Sequence, residues 1–310
     1  VKKNGEIVKV NIGENPNEPC FCVTDLLPHL AKEQMGKTML KGVVGEDLNV
    51  LIGSRPFRAD KGSELVKLNI IKLLNDKYGI IESDFISAEL ELVPAFKAQD
   101  VGFDRSMIGA YGHDDRVCAY PSLMACLDCK IPDSTIVAVL ADKEEIGSDG
   151  NTGMRCDFFK YFIADLAALD GVECRHVLTK SKCLSADVNA AFDPTYATQY
   201  DQFNSCYINN GAVITKYTGS GGKGGTSDAS AEFVAEIRSI MDKEEVLWQT
   251  GELGKVDAGG GGTIAKFIAE LNVDVVDLGV PVLSMHAPFE VVSKIDVYMA
   301  YKALRAFFES

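Results

Sequence analysis

The chain has 310 residues, 46% of them hydrophobic, with nine cysteines and a formal net charge of −14. That length and apolar share suffice for a large core and for two domains. The acidic balance argues against nucleic acid or an anionic membrane surface as a partner. No apolar run approaches the roughly 20 residues of a membrane helix, and the opening VKKNGEIVKV lacks the apolar core of a secretory signal. An odd number of cysteines without a regular framework suits a reducing, cytoplasmic setting.

In chain order, residues 1–83 read as a smaller α+β region. Val8, Val10 and Ile12 alternate as in a strand, with Val1 in place of a methionine, so the chain is expected to enter this segment midway. The turn-rich GENPNEP (13–19) follows, then Cys20 and Cys22 on one face of a strand, and the apolar word LNVLI (48–52). Leu65, Leu68, Ile71 and Leu74 recur every three residues. This predicts a helix with Ser63 as N-cap and Gly79 as its left-handed stop. From Asp84 the pattern becomes alternating strand and helix. SAELELVPA (87–95) predicts a half-exposed strand. Further strands are expected at 136–141, 174–180, 206–215 and 275–285, and helices at 117–129, 152–169, 227–243, 261–271 and 290–308. His176 falls in one of the strands, and Cys126 and Cys129 read as small residues of a helix. Such alternation predicts an α/β fold, a mixed, mostly parallel sheet flanked by helices.

The chemistry concentrates at the ends of apolar segments. IVAVL (136–140) runs into Glu144–Glu145, and open α/β sheets bind ligands at the carboxyl ends of their strands. Adjacent carboxylates point apart, so one can hold a metal while the other moves protons. His113-Asp114-Asp115 precedes a helical run, Asp187 follows Leu184-Ser185-Ala186, and His286 follows Val282-Leu283-Ser284-Met285. Carboxylates suit hard divalent ions, and zinc also takes imidazole. From the carboxylates alone, a glycosidase using Glu144 and a distant acid stays open.

The order of these groups, and the words around them, resemble a known family. GHDDRVCAYPSL (112–123), DKEEIGSDGNTG (142–153), SADVNAAFDPTY (185–196), GVPVLSMHAPFE (279–290) and the lysine–glycine segment 216–226 are together similar to the aspartyl aminopeptidases, two-metal metallopeptidases. The resemblance implies a metallo-aminopeptidase/phosphorylase-like catalytic domain over 84–310, and residues 1–83 as part of a dimerisation domain. It implies Asp115 as the carboxylate bridging two metals, although a one-residue slip exchanges it with Asp114. His113 then reads as a neighbouring polar residue. Glu145, Asp187 and His286 are the further ligands and Glu144 the general base. The metal implied is Zn2+, two per complete site, with Co2+ or Mn2+ as alternatives. The substrate implied is a peptide, cut after its N-terminal residue, Asp or Glu among the candidates.

The same family places a lysine near an acidic substrate side chain, which points to Lys216 first and Lys223 second. KVDAGGGGTIA (255–265) resembles its second pocket segment, with Asp257 and Gly260, and a helix starting at these glycines would aim amides at a carbonyl. His29, in LLPHLAKE, resembles a histidine that a partner subunit supplies, in a homo-oligomer that is a dimer or a larger assembly of dimers. The family also carries a histidine ligand in an H-x-D setting upstream of the residues present here. The expectation is therefore a C-terminal part with the N-terminal portion of the catalytic domain missing. It would hold one metal well and the second poorly, and be impaired as an enzyme or kept only for assembly.

Overall fold

A computed structural model of the chain describes residues 1–58, 61–130 and 132–310. The chain divides into two units, Val1–Ala95 and Phe96–Ser310. The division falls after Ala95 rather than at residue 83. Residues 82–87 form a 3-10 turn, and Asp84 accepts the Lys3 N–H while the Ser87 hydroxyl donates to the Val1 carbonyl. SAELELVPA, expected as a strand, joins no sheet.

The first unit carries one small ladder, β1 (Cys22–Val23) against β2 (Val50–Leu51), with Cys22 opposite Leu51. Two single-turn helices lie between them, α1 (Lys32–Met35) and α2 (Met39–Gly42). The predicted helix is α3 (Leu65–Tyr78), and Gly79 ends it with φ +68°, its N–H bonded to the Asn75 carbonyl. Its N-cap is Glu64 rather than Ser63. Residues 6–12 form no strand among the described residues, since no ladder partner pairs with them.

The second unit is α/β with mixed sheets flanked by helices. Its elements are β3 (Gln99–Val101), β4 (Met107–Ala110), α4 (His113–Asp128), α5 (Phe158–Leu169), α6 (Cys174–Lys180), β5 (Lys182–Ala186) and β6 (Asn189–Ala190), then β7 (Ala212–Thr215), α7 (Ala231–Lys243), β8 (Trp248–Thr250), α8 (Ala265–Ala269), β9 (Asp274–Gly279), β10 (Pro281–Leu283), β11 (Glu290–Ser293) and α9 (Lys294–Phe308). One sheet runs β3-β4-β11-β10-β6 and the other β5-β9-β7-β8. β10–β6, β5–β9 and β7–β8 are parallel and the remaining pairs antiparallel. Every residue of β7 is buried. Val276, Leu278, Val282 and Val292 join it under α4, α7 and α9, each apolar side chain contributing about 1.5–3 kcal/mol.

Two expectations change here. Residues 174–180 are helical, because Cys174, Val177 and Leu178 share one helix face against a second core cluster; a short apolar run does not distinguish strand from helix by period alone. His176 thus sits on α6. Residues 136–141 join no ladder among the described residues; the bridge Asp142–Gly153 comes just after them. Val137 and Ala141 still pack on the core, whereas Leu140 is 59% exposed.

β5 continues into β6, and β9 into β10, so both chains cross from one sheet to the other side by side. The Asn189 and Ala191 N–H groups bond to the carbonyls of Val280 and Val282 across this seam. Asp187 and Gly279 lie at the crossing. The carboxyl ends of β4, β5 and β10 open onto one region, and it holds the acidic motifs.

Candidate metal centre

The site begins where β4 turns into α4. Gly112 takes φ +65°, and the next residues are not yet helical, Asp114 at φ −80°, ψ 105° and Asp115 at φ −122°, ψ 38°. The two neighbouring carboxylates are therefore presented differently. Asp114 forms one group with Glu145 and His286 and a second with Asp115 and Asp187, and in each group the ligand atoms lie within 4.8 Å of one another. His286 Nε2 is 2.9 Å from Asp114 Oδ2 and 3.4 Å from Glu145 Oε1.

The residue common to both groups is Asp114, whereas the motif order points to Asp115. Asp115 reaches only the Asp187 side, and its Oδ1 is buried with no hydrogen-bond partner. Motif order alone cannot separate adjacent identical side chains; the backbone turn does. His113, one residue earlier, faces away, its Nε2 3.2 Å from the Ile108 carbonyl.

Glu144 and Glu145 stand on a 3-10 turn, Glu144–Ile146, entered through Lys143 at φ +64° and left through Gly147 at φ +98°. Glu145 is exposed and turned to His286, while Glu144 is half-buried. Burial pushes the Glu144 carboxyl up, the Glu145 charge adds to this, and His286 and Lys266 oppose it. Burial raises Asp187 far more, with Asp115 and Asp114 reinforcing the shift. Asp114 is likewise raised by burial and by Glu145, against the pull of His286. Like charges crowded in a low-dielectric setting keep their ionised forms only beside cations.

The chain matches the Aminopeptidase I zinc metalloprotease (M18) family over residues 1–308. It belongs to the M18 family. A probable M18 family aminopeptidase 1 from Clostridium acetobutylicum is 52% identical over 311 residues, covering 99% of this chain and 67% of that protein. The crystal structure of aminopeptidase I from the same organism superimposes with a TM-score of 0.94 at 52% identity, covering 100% of this chain and 68% of that one. An M18 aminopeptidase structure from Thermotoga maritima gives a TM-score of 0.95 at 44% identity, covering 99% and 69%.

The donor set fits zinc, the metal of the M18 description. One group offers two carboxylates and an imidazole, the usual three-ligand pattern of an open zinc site. The other offers three carboxylates and, among the described residues, no imidazole. Asp115, whose Oδ1 is the orphaned buried oxygen, is a member of this second group.

The segments expected to meet substrate in this M18 chain are less simply arranged. Lys216 and Lys223 converge on one carboxylate, Asp228, which they hold below its ordinary range. The two glycine segments pack on each other: the Gly261 N–H donates to the Thr218 carbonyl, and a β-carbon on Gly260, at φ +96°, would lie 2.3 Å from the Gly219 carbonyl. Gly260 thus serves close backbone approach. The helix expected to start at the glycines begins only at Ala265 and spans five residues, so it aims no N-terminus at a ligand. Asp257 is exposed in the turn before them. His29 is exposed within the first unit and belongs to a separate body from the metal centre.

Two residues of this region carried no signal as single letters. Gly279 touches the Asp187 backbone, and Glu290 touches those of Asp114 and His286. Their only marks in the sequence are a glycine ending an apolar strand and an acid closing a ligand motif, and neither says what it touches.

Proposed function

We propose that the chain supplies the metal centre of a zinc aminopeptidase that removes the N-terminal residue of a peptide. The observation that carries this reading is Asp114, shared by both ligand groups. Asp114 would serve both ligand sets, with Glu145 and His286 completing one and Asp115 and Asp187 the other. When bound, zinc supplies Lewis acidity at the scissile carbonyl and makes water acidic enough to lose a proton near neutral pH. Glu144, outside both groups and half-buried, would take up a proton on its carboxylate and give it to the leaving amine. Burial and the Glu145 charge raise its proton affinity, which suits a group that must both accept and release. His286 and Glu145 are exposed while Asp114 is not, so a substrate enters from their side.

Lys216 and Lys223 are the groups for an acidic N-terminal side chain, with Asp228 as their partner until one arrives. Self-association through the first unit is supported by its surface, where Met39, Leu40, Leu30 and Met35 are 98%, 92%, 73% and 71% exposed. His29 would then serve a neighbouring copy's site. Nine free cysteines support a reducing, cytoplasmic location.

The test is zinc content together with hydrolysis of aminoacyl-peptide substrates, for the chain alone and for a longer chain spanning its relatives' full length. Zinc-dependent release of N-terminal residues by the longer chain supports the reading. Hydrolysis indifferent to chelators would overturn the zinc-dependent reading.

A further inference from the structure

Glu290 is the first residue of β11 and is 2% exposed. Its two oxygens are not shared at random. Oε2 accepts the backbone N–H of Asp114 at 3.0 Å, and Oε1 accepts the backbone N–H of His286 at 2.8 Å. Those donors are 172 positions apart in the sequence, on opposite sides of the ligand group they build with Glu145. The antiparallel register of β11 on β4, with Glu290 opposite Ala110, brings the acid to the end of the strand that leads into Asp114.

His286 needs such a restraint. It occupies the left-handed region at φ +64°, as does Ser284 at φ +59°, and neither is a glycine. Among the described residues the loop between β10 and β11 has two recorded main-chain tethers, the Ala287 N–H to the Ser284 carbonyl and the His286 N–H to Glu290. A buried carboxylate accepting two N–H groups forms short, directional, charge-assisted bonds.

We infer that Glu290 is a positioning residue of the metal centre: one buried carboxylate clamps the main chains of Asp114 and His286 at the separation at which both side chains meet one ion. The inference rests on the zinc reading above. Neutral glutamine keeps the size of the side chain but has one acceptor, so its NH2 must face one of the two N–H donors. The clamp then opens on one side, and ligand geometry loosens without any ligand being removed.

The experiment compares the unaltered chain with Glu290→Gln. It measures zinc affinity by chelator competition, the visible absorption of the Co2+-loaded protein, and melting of the metal-free form. Residues supporting metal ligands commonly cost 10–100-fold in affinity when lost. The expected result is a zinc affinity weaker by about that factor and a shifted Co2+ spectrum, in a protein that still melts cooperatively without metal. Unchanged affinity and spectrum in folded Glu290→Gln overturn the clamp while leaving the zinc reading intact. If the unaltered chain binds no zinc, the zinc reading fails and the clamp with it. Should Glu290→Gln not fold, hydrogen exchange on the unaltered metal-free chain decides. Slow exchange of the His286 amide, on an exposed residue, supports the bond to Glu290, and exchange at the free-peptide rate overturns it.

Discussion

The backbone oxygen of Asp187 sits 1.6 Å from where a β-carbon on Gly279 would be. No side chain fits there, so the strand pair carrying Asp187 crosses between the sheets only because position 279 is glycine. Gly279→Ala must push the Asp187 backbone away. Overpacking of this kind costs about 1–3 kcal/mol. Urea unfolding is expected to report that loss, and zinc titration a weaker group on the Asp187 side.

The sharing of Asp114 makes an asymmetric prediction for the adjacent acids. Asp114→Asn is expected to weaken zinc binding by more than the roughly 10–100-fold that loss of a supporting residue costs, because it is the one residue in both groups. Asp115→Asn is expected to leave the Glu145–His286 group intact. Metal analysis after dialysis against a weak chelator checks both; equal losses would return Asp115 to the bridging position.

Within that centre the imidazole side should be the tighter. Asp114, Glu145 and His286 combine two anions with a neutral ligand, whereas Asp114, Asp115 and Asp187 crowd three carboxylates whose proton affinities are raised. Titration of this chain with zinc is expected to show one high-affinity ion, abolished by His286→Ala. Two equally tight ions would contradict the asymmetry.

For the acidic pair, Glu144→Gln is expected to keep zinc while turnover, read in a chain spanning the relatives' whole length, falls by about 10²–10⁴-fold. Glu145→Gln is expected to weaken zinc itself, since Glu145 is the one within reach of His286. Parallel metal loss in the two variants would reject the division of roles.

A pH effect on stability is expected from Asp296, away from the metal centre. It is buried, and its oxygens accept the N–H groups of Asn209 and Gly211, both at 2.7 Å. Burial raises its carboxyl to about 6 against the pull of those two bonds. A raised acid contributes stability in full below its unfolded value near 3.9, and that contribution is lost as pH rises through about 6. The stability difference between the unaltered chain and Asp296→Asn should therefore shrink between pH 4 and pH 7, by about 3 kcal/mol at most. Urea unfolding of both at the two pH values reads it directly; a difference that does not move with pH excludes this titration.

What the residues alone determined is the local chemistry and its order. The period of Leu65, Leu68, Ile71 and Leu74, with Gly79 behind it, specifies α3, because helix spacing and a left-handed stop are encoded within a few positions. The acids and His286 stood out through the order of the motifs around them, which resembles a known family, and Asp114, Asp115, Glu145, Asp187 and His286 do come together. What only the tertiary structure decided is which atoms meet. Asp114 and Asp115 are alike as letters, and a strand-to-helix turn separates them. Residues 174–180 turn helical because a core cluster selects the face made by Cys174, Val177 and Leu178. Lys216 and Lys223 share Asp228 through a loop closure that no spacing announces. Glu290 and Gly279 act on backbone groups distant in sequence, and a backbone N–H or carbonyl is the same at every residue until the fold brings a particular one to a particular side chain.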